Sequence, residues 1–294
     1  MQPAGTRWVS YNSRSDVFEL VVLADTHELD GGFVEDKLQA DIERIAADDH
    51  AYWVHLGDYG NFKNMRHPKH FDPTQYAPDV TVADLGDQAV AITKRMERYK
   101  PIAHKCMGVL MGNHEWTFQH ATEQWNMHAG ICHSLGVPNL GYSCFVGLSF
   151  VRQPHARKRR GALHMKAPSG GGATWGRCIY MHHGVGAAQT PGGRVKKLDD
   201  AMNEYDSDLY LLAHLHGEAT LKRVTVTHSP DCTEIRDRLQ LGAITGSYLK
   251  TYRDGPNPSY GERKMYRAAC LGAISVFFEP DKKKVWIPTV AEYS

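Results

Sequence analysis

The chain is 294 residues long and carries 34 Lys and Arg against 33 Asp and Glu, with 42% hydrophobic and 23% charged residues. This is the profile of a soluble globular chain with a sizeable core; it excludes disordered, collagen-like and coiled-coil classes, and a formal charge of +1 argues against a globally basic nucleic-acid binder. No apolar run approaches the ~18 residues that cross a bilayer, and residues 1–16 hold no apolar stretch ahead of a small-residue cleavage site, so neither a membrane span nor a secretory leader is expected.

Residues 18–24 (FELVVLA) form a nearly continuous apolar run, which predicts a buried strand ending at Asp25. Within residues 34–47, Val34, Leu38, Ile42 and Ile45 recur at helical spacing with charges opposite, and residues 51–56 (AYWVHL) are again strand-like. A helix over 84–99, a strand over 107–111 and a helix starting near Glu115 continue the alternation, which implies an α/β sheet with parallel pairs. Beyond Val137 the texture turns to β, with strands predicted at 144–151, 177–181, 208–213, 219–227, 239–244, 273–278 and 284–287 and a helix at 195–205. No linker rich in Pro, Gly and Ser separates the halves and no repeat recurs, so one domain over residues 1–294 built from two sheets is expected.

Cys106, Cys132, Cys144, Cys178, Cys232 and Cys270 form no Cys-x-x-Cys pair, which fits reduced thiols and a cytoplasmic location. The unusual count is 17 histidines, and several of them fall where predicted strands stop. The clusters are Asp25-Thr26-His27, Gly57-Asp58-Tyr59-Gly60-Asn61, Gly112-Asn113-His114-Glu115, His182-His183-Gly184 and His214-Leu215-His216. Loops leaving the carboxyl ends of strands in an α/β sheet are neighbours in space, and that edge is where ligands bind. Asp, Asn and His donors without Cys suit borderline or hard divalent ions such as Mn, Fe or Zn. There are more good donors than one ion can use, and Asp58 is available to bridge, so two metals are implied.

In that order the blocks resemble the calcineurin-like metallophosphoesterases, whose signature runs Asp-x-His, Gly-Asp-x-x-Asp, Gly-Asn-His-Glu/Asp, a strand-end His and Gly-His-x-His. The match covers Asp25 to His216. The resemblance implies an α/β fold in four layers, an α-β-β-α sandwich of two mixed sheets flanked by helices, and hydrolysis of phosphate esters with two divalent metals. It assigns Asp25, His27 and His216 to one metal and Asn113, His182 and His214 to the other, with Asp58 bridging. A hydroxide shared by the ions would be the nucleophile, and His114 the general acid. His182 and His183 compete for one ligand position; analogy with strand-end His pairs selects His182. Two departures matter: Asn61 stands where many relatives have an aspartate, so it can orient His114 without stabilising an imidazolium by charge, and Ala213 replaces a glycine.

On the substrate side, Arg157, Lys158, Arg159 and Arg160, flanked by Arg152, His164 and Lys166, form a basic loop that could track a nucleic-acid backbone or be a solvated connection. Arg194, Ser247 and Tyr248 are candidate phosphate or leaving-group contacts, with packing as the alternative for Tyr248. A phosphodiester substrate, nucleic acid or nucleotide, is the first expectation because a diester has a poor leaving group that benefits from a proton donor. A phosphomonoesterase, including a protein phosphatase, and a non-catalytic scaffold are the rivals. Asn61-Phe62-Lys63 differs from the Asp-Arg-Gly of protein phosphatases, and no ligand is missing as in scaffolds. Oligomeric state leaves no trace in the sequence.

Overall fold

A computed structural model describes residues 1–62, 72, 75–77, 85–123, 126–153, 163–169 and 172–288. In chain order the strands are β1 Gln2–Tyr11, β2 Phe18–Leu23, β3 Ala51–His55, β4 Cys106–Val109, β5 Ser143–Arg152, β6 Thr174–His182, β7 Leu209–Leu212, β8 Ala219–His228, β9 Ile235–Ile244, β10 Ile274–Glu279 and β11 Lys284–Trp286. The helices are α1 Glu35–Ala47, α2 Leu85–Met96, α3 Asn113–Thr122, α4 Met127–Leu135, α5 Pro191–Glu204 and the single turn α6 Tyr260–Arg263, with a 3-10 segment Glu97–Lys105 after α2.

One sheet has six strands in the order β1-β5-β6-β7-β9-β8 and the other five in the order β11-β10-β2-β3-β4. Both are mixed: β2, β3 and β4 run parallel while β10 is antiparallel to β2, and β6, β7 and β9 run parallel between antiparallel neighbours β5 and β8. The sheets pack face to face through alternate residues of each strand, such as Leu20, Val22 and Val54 against Val146, Ile179 and Leu211. The opposite face of the five-stranded sheet is covered by α1, α2, α3 and α4 through Leu38, Ile42, Ile92, Met96, Phe118 and Ile131, and that of the six-stranded sheet by α5 through Leu198 and Met202. Four layers result, as the family resemblance implies. Among the described residues no helix is long and apolar enough to cross a membrane.

Strand β1 lies outside the elements that periodicity predicts. Its inward positions are Arg7, Val9 and Tyr11, and the arginine breaks the apolar alternation. Buried Arg7 is satisfied by carbonyls: Nε donates to Met107 O at 3.0 Å and Nη1 to Ala4 O at 2.8 Å. The basic run Arg157 to Arg160 lies outside the described residues. Two of its flanks are structural: Arg152 faces Asp281 at 3.5 Å, and the main chain of His164 pairs with Trp8.

Candidate metal centre

The loops leaving the strands continue the sheet's bonding past its edge. Leu56 N donates to Leu23 O (2.8 Å), Asp25 N to Gly57 O (3.1 Å) and His27 N to Asp58 O (3.0 Å), so the turns after β2 and β3 are held side by side. Within them Asp25, His27, Asp58, His214 and His216 take φ values of 50°, 47°, 51°, 70° and 47°. Non-glycine residues avoid this left-handed region at a cost of about 1–3 kcal/mol each, so a surrounding framework has to hold them there. At Asp25 that framework is visible: its carbonyl accepts from Ser247 Oγ (2.9 Å) and Tyr248 N (3.1 Å), while Oδ2 accepts from His214 N (2.9 Å). Ser247 and Tyr248 thus buttress Asp25, and the Tyr248 hydroxyl donates to Asp41 Oδ2 at 2.7 Å in the helix layer.

Glu115, to which the motif reading gave no role, organises the second and third loops. Its Oε2 accepts from Asp58 N (2.9 Å) and Gly112 N (2.7 Å) and its Oε1 from Gly60 N (3.0 Å). Burial, then the charge of Asp58, push its carboxyl up to about 8, against backbone donors that favour the anion. The third position of a helix is where a glutamate folds back on the turn before it, a signal present in the sequence. Space is equally constrained: a Cβ on Gly112 would fall 2.1 Å from Asp58 Oδ1, and one on Gly57 (φ 97°) 2.5 Å from Gly112 N.

The side chains so placed converge in overlapping groups: Asp25, His27 and His216; His27, Asp58 and His114; Asp58, His183 and His214. Asp58 belongs to two of them. In the first group His27 Nε2 and His216 Nε2 face each other at 3.1 Å, with buried Asp25 Oδ1 at 3.9 and 3.6 Å from them and accepting no hydrogen bond. In the last, His183 Nδ1 donates to Leu56 O at 2.8 Å, which turns Nε2 toward two further acceptors, Asn113 Oδ1 at 2.9 Å and Asp58 Oδ2 at 3.1 Å. His214 Nε2 donates to Gly186 O at 3.0 Å, leaving a buried Nδ1 with no hydrogen bond.

Lone pairs pointed at one another are repulsive unless a proton or a cation lies between them, and these atoms stand about as far apart as ligands of one ion with bonds of ~2.1 Å. In His183 and His214 the other ring nitrogen is tied to a carbonyl, of Leu56 and Gly186 respectively, the usual way an imidazole is oriented toward a metal. The donor set therefore fits divalent cations. Without one, protons do the work: burial would lower His183, but Asp58 and Asp25 push it up to about 9. Burial would raise Asp58, but His183, His114 and His27 hold it well below the usual carboxylate range.

The expectation that His182 joins the cluster is reversed: His183 is the residue brought to Asn113 and Asp58. The reason is strand alternation. Ile179 and Met181 point into the sheet-sheet core and Tyr180 outward, so His183 continues the inner row and His182 the outer one, beside Tyr180 and Tyr142. His182 Nδ1 accepts from Gly184 N at 2.7 Å, and burial, then His183 and His214, lower its pKa to about 4. The period-two pattern of Ile179 and Met181, carried on to position 183, is present in the sequence itself.

His114 donates its backbone N–H to Asp58 Oδ1 (2.9 Å) and sets its ring edge-on to His27 at a centroid distance of 4.8 Å. Asn61 has an unforeseen companion: its Nδ2 donates to Asp30 Oδ2 at 2.6 Å, and both line one cleft of about 390 Å³ with His114.

No protein-family model matches the chain, and no curated protein matches it. Similar solved structures include a predicted phosphoesterase from Streptococcus pneumoniae, 14% identical over 90% of this chain and 84% of that one with a TM-score of 0.30. A Vps29 single mutant from Entamoeba histolytica is 11% identical over 88% and 85% (TM-score 0.30), and a metallophosphoesterase from Sphaerobacter thermophilus 11% over 92% and 87% (TM-score 0.37).

Proposed function

We propose that the chain is a dinuclear metal-dependent phosphodiester hydrolase. Asp25, His27 and His216 would hold one divalent ion and Asn113, His183 and His214 the other, with Asp58, which belongs to two of the converging groups, available to both. The observation that carries this is the convergence of metal-ligating atoms, above all His27 Nε2 on His216 Nε2 and His183 Nε2 on Asn113 Oδ1 and Asp58 Oδ2. The chemistry that bound cations supply is acidification of water and neutralisation of phosphoryl charge.

The chain's own groups do the rest. Carbonyls of Leu56 and Gly186 fix the tautomers of His183 and His214, and Glu115 fixes the backbone that carries Asp58. His114 protonates the departing ester oxygen, which is what a diester's poor leaving group needs. Asn61 orients that part of the cleft, and Asp30 behind it contributes the negative charge that an asparagine lacks.

Metal-replete protein should hydrolyse bis(p-nitrophenyl) phosphate faster than p-nitrophenyl phosphate, and hydrolysis of neither would overturn the proposal. His114→Asn should retain metal and lose roughly 100-fold or more on a diester with an alkyl leaving group. With a p-nitrophenyl leaving group, which departs without a proton, the loss should be several-fold only. Equal losses on both substrates would remove the proton-donor role.

A further inference from the structure

Arg194 lies in the first turn of α5 and is only 7% exposed. Nothing about stability recommends a cation there. The start of a helix carries partial positive charge, which opposes a guanidinium. Burial strips its hydration, and a buried charge is tolerated when paired. Yet among the described residues Arg194 has no carboxylate within ion-pair distance, and its buried Nε donates to nothing. Arg7, buried as deeply, shows how this fold accommodates an arginine that serves only the architecture, with its donors ending on carbonyls.

A second, independent feature concerns the space Arg194 fills. It lines the same cleft as His27, Asp58, Asn113, His114, His214 and His216. Its guanidinium packs against Gly217, the residue after His216: a Cβ there would fall 2.1 Å from Cζ, 2.3 Å from Nη1 and 2.4 Å from Nη2. Any other residue at 217 would therefore displace the guanidinium from its present place.

We propose that Arg194 is the substrate-binding residue that grips the non-bridging oxygens of the phosphoryl group in this cleft. The assignment rests on the phosphoesterase reading above. A guanidinium cannot be deprotonated near neutral pH and offers a planar fork that matches two phosphate oxygens. The anion supplies the missing partner, so a charge that costs stability in the free protein is compensated when the substrate enters.

The test measures binding of inorganic phosphate to metal-replete protein by phosphorus NMR or calorimetry, beside metal content and the KM and kcat for bis(p-nitrophenyl) phosphate. Arg194→Ala should weaken phosphate binding by roughly 10- to 100-fold and raise KM in parallel, with metal content at the wild-type level. Arg194→Lys should recover part of the loss by restoring the charge without the fork. Gly217→Ala, which keeps the arginine but displaces it, should weaken phosphate binding in the same direction. Should Arg194→Ala not fold, the last two variants carry the comparison. Phosphate affinity and KM unchanged in the variants while wild type is active would overturn the role of Arg194 alone. Loss of metal together with phosphate would overturn it too, by making Arg194 structural. A wild-type protein that neither binds phosphate nor hydrolyses an ester would overturn this assignment and the phosphoesterase reading together.

Discussion

Asp25, His27, Asp58, His214 and His216 occupy a backbone region that side chains avoid, and they do so where the lone pairs meet. Strain held at such positions needs over-determined surroundings, and the room around Asp58 shows how narrow the tolerance is. Gly112→Ala would drive a methyl into Asp58 Oδ1, so it should cost about 1–3 kcal/mol of stability and most of the metal content, read by urea unfolding and elemental analysis. A variant that melts like wild type and keeps its metal would show that the loop can shift. The adjacent histidines separate in the same way: His183→Ala should lose about one metal per chain and His182→Ala none, because only His183 faces Asn113 and Asp58. Much of this is legible in the sequence. The motif spacing locates Asp25, His27, Asp58, Asn113, His114, His214 and His216, since loops at one sheet edge meet whatever lies between them in sequence. Within the His pair, analogy points to His182, while the alternation of Ile179 and Met181 leads to His183, the residue that faces Asn113 and Asp58.

Among the secondary-structure elements, α3 and α4 matter beyond their apolar faces. Helix α3 brings Glu115 back onto the β3 loop, and α4 presents His128 to the Tyr59 hydroxyl (3.1 Å) and to Asn139 (3.1 Å). Burial lowers the His128 pKa from 6.5 to about 4, although Asn139 favours the charged form. A base with a depressed folded pKa makes the unfolded state the stronger proton binder, so stability is full above pH 6.5 and falls as the pH drops toward 4. The loss at pH 4.5 should be on the order of 2 kcal/mol. His128→Gln should therefore show a flatter decline in urea midpoint between pH 7 and 4.5 than wild type; parallel curves would contradict the assignment. Elements are legible where one face is continuously apolar, as in β2, β3, α1 and α5. They are not where a polar residue fills an inward position: Arg7 hides β1, and the mixed face of His128, Ile131 and Cys132 hides α4. Asp30 escapes assignment because a carboxylate that accepts from the chain's own amides leaves no spacing pattern, whereas the signal for Glu115, its place at the third position of α3, belongs to helix capping and not to the metal-ligand motifs.

In the molecule as a whole, Asp25, His27, Asp58 and Asn113 come from the five-stranded sheet and His183, His214 and His216 from the six-stranded one, so each proposed ion has ligands from both. Removing the metals should then loosen the packing between sheets rather than one loop. A ligand bound only by the native state stabilises by RT ln(1 + [L]/Kd), about 2.7 kcal/mol at a hundredfold excess over Kd. Chelation is thus expected to lower the midpoint of thermal unfolding by several degrees, about 2–4 °C per kcal/mol for a chain of this size, and added Mn should restore it. A melting temperature indifferent to chelator would mean that the cations contribute nothing to the native state.

His214 N on Asp25 Oδ2, His183 Nδ1 on Leu56 O and Thr245 Oγ1 on Val22 O all cross from one sheet to the other. The cleft sits on a seam, and its parts are in register only while the two halves of the sandwich are aligned. A slip of an ångström between them would leave every strand intact and every helix seated, yet it would pull the two sets of donors out of reach of a shared ion. Turnover should accordingly be the most sensitive gauge of that alignment, failing well before ellipticity or compactness reports any damage.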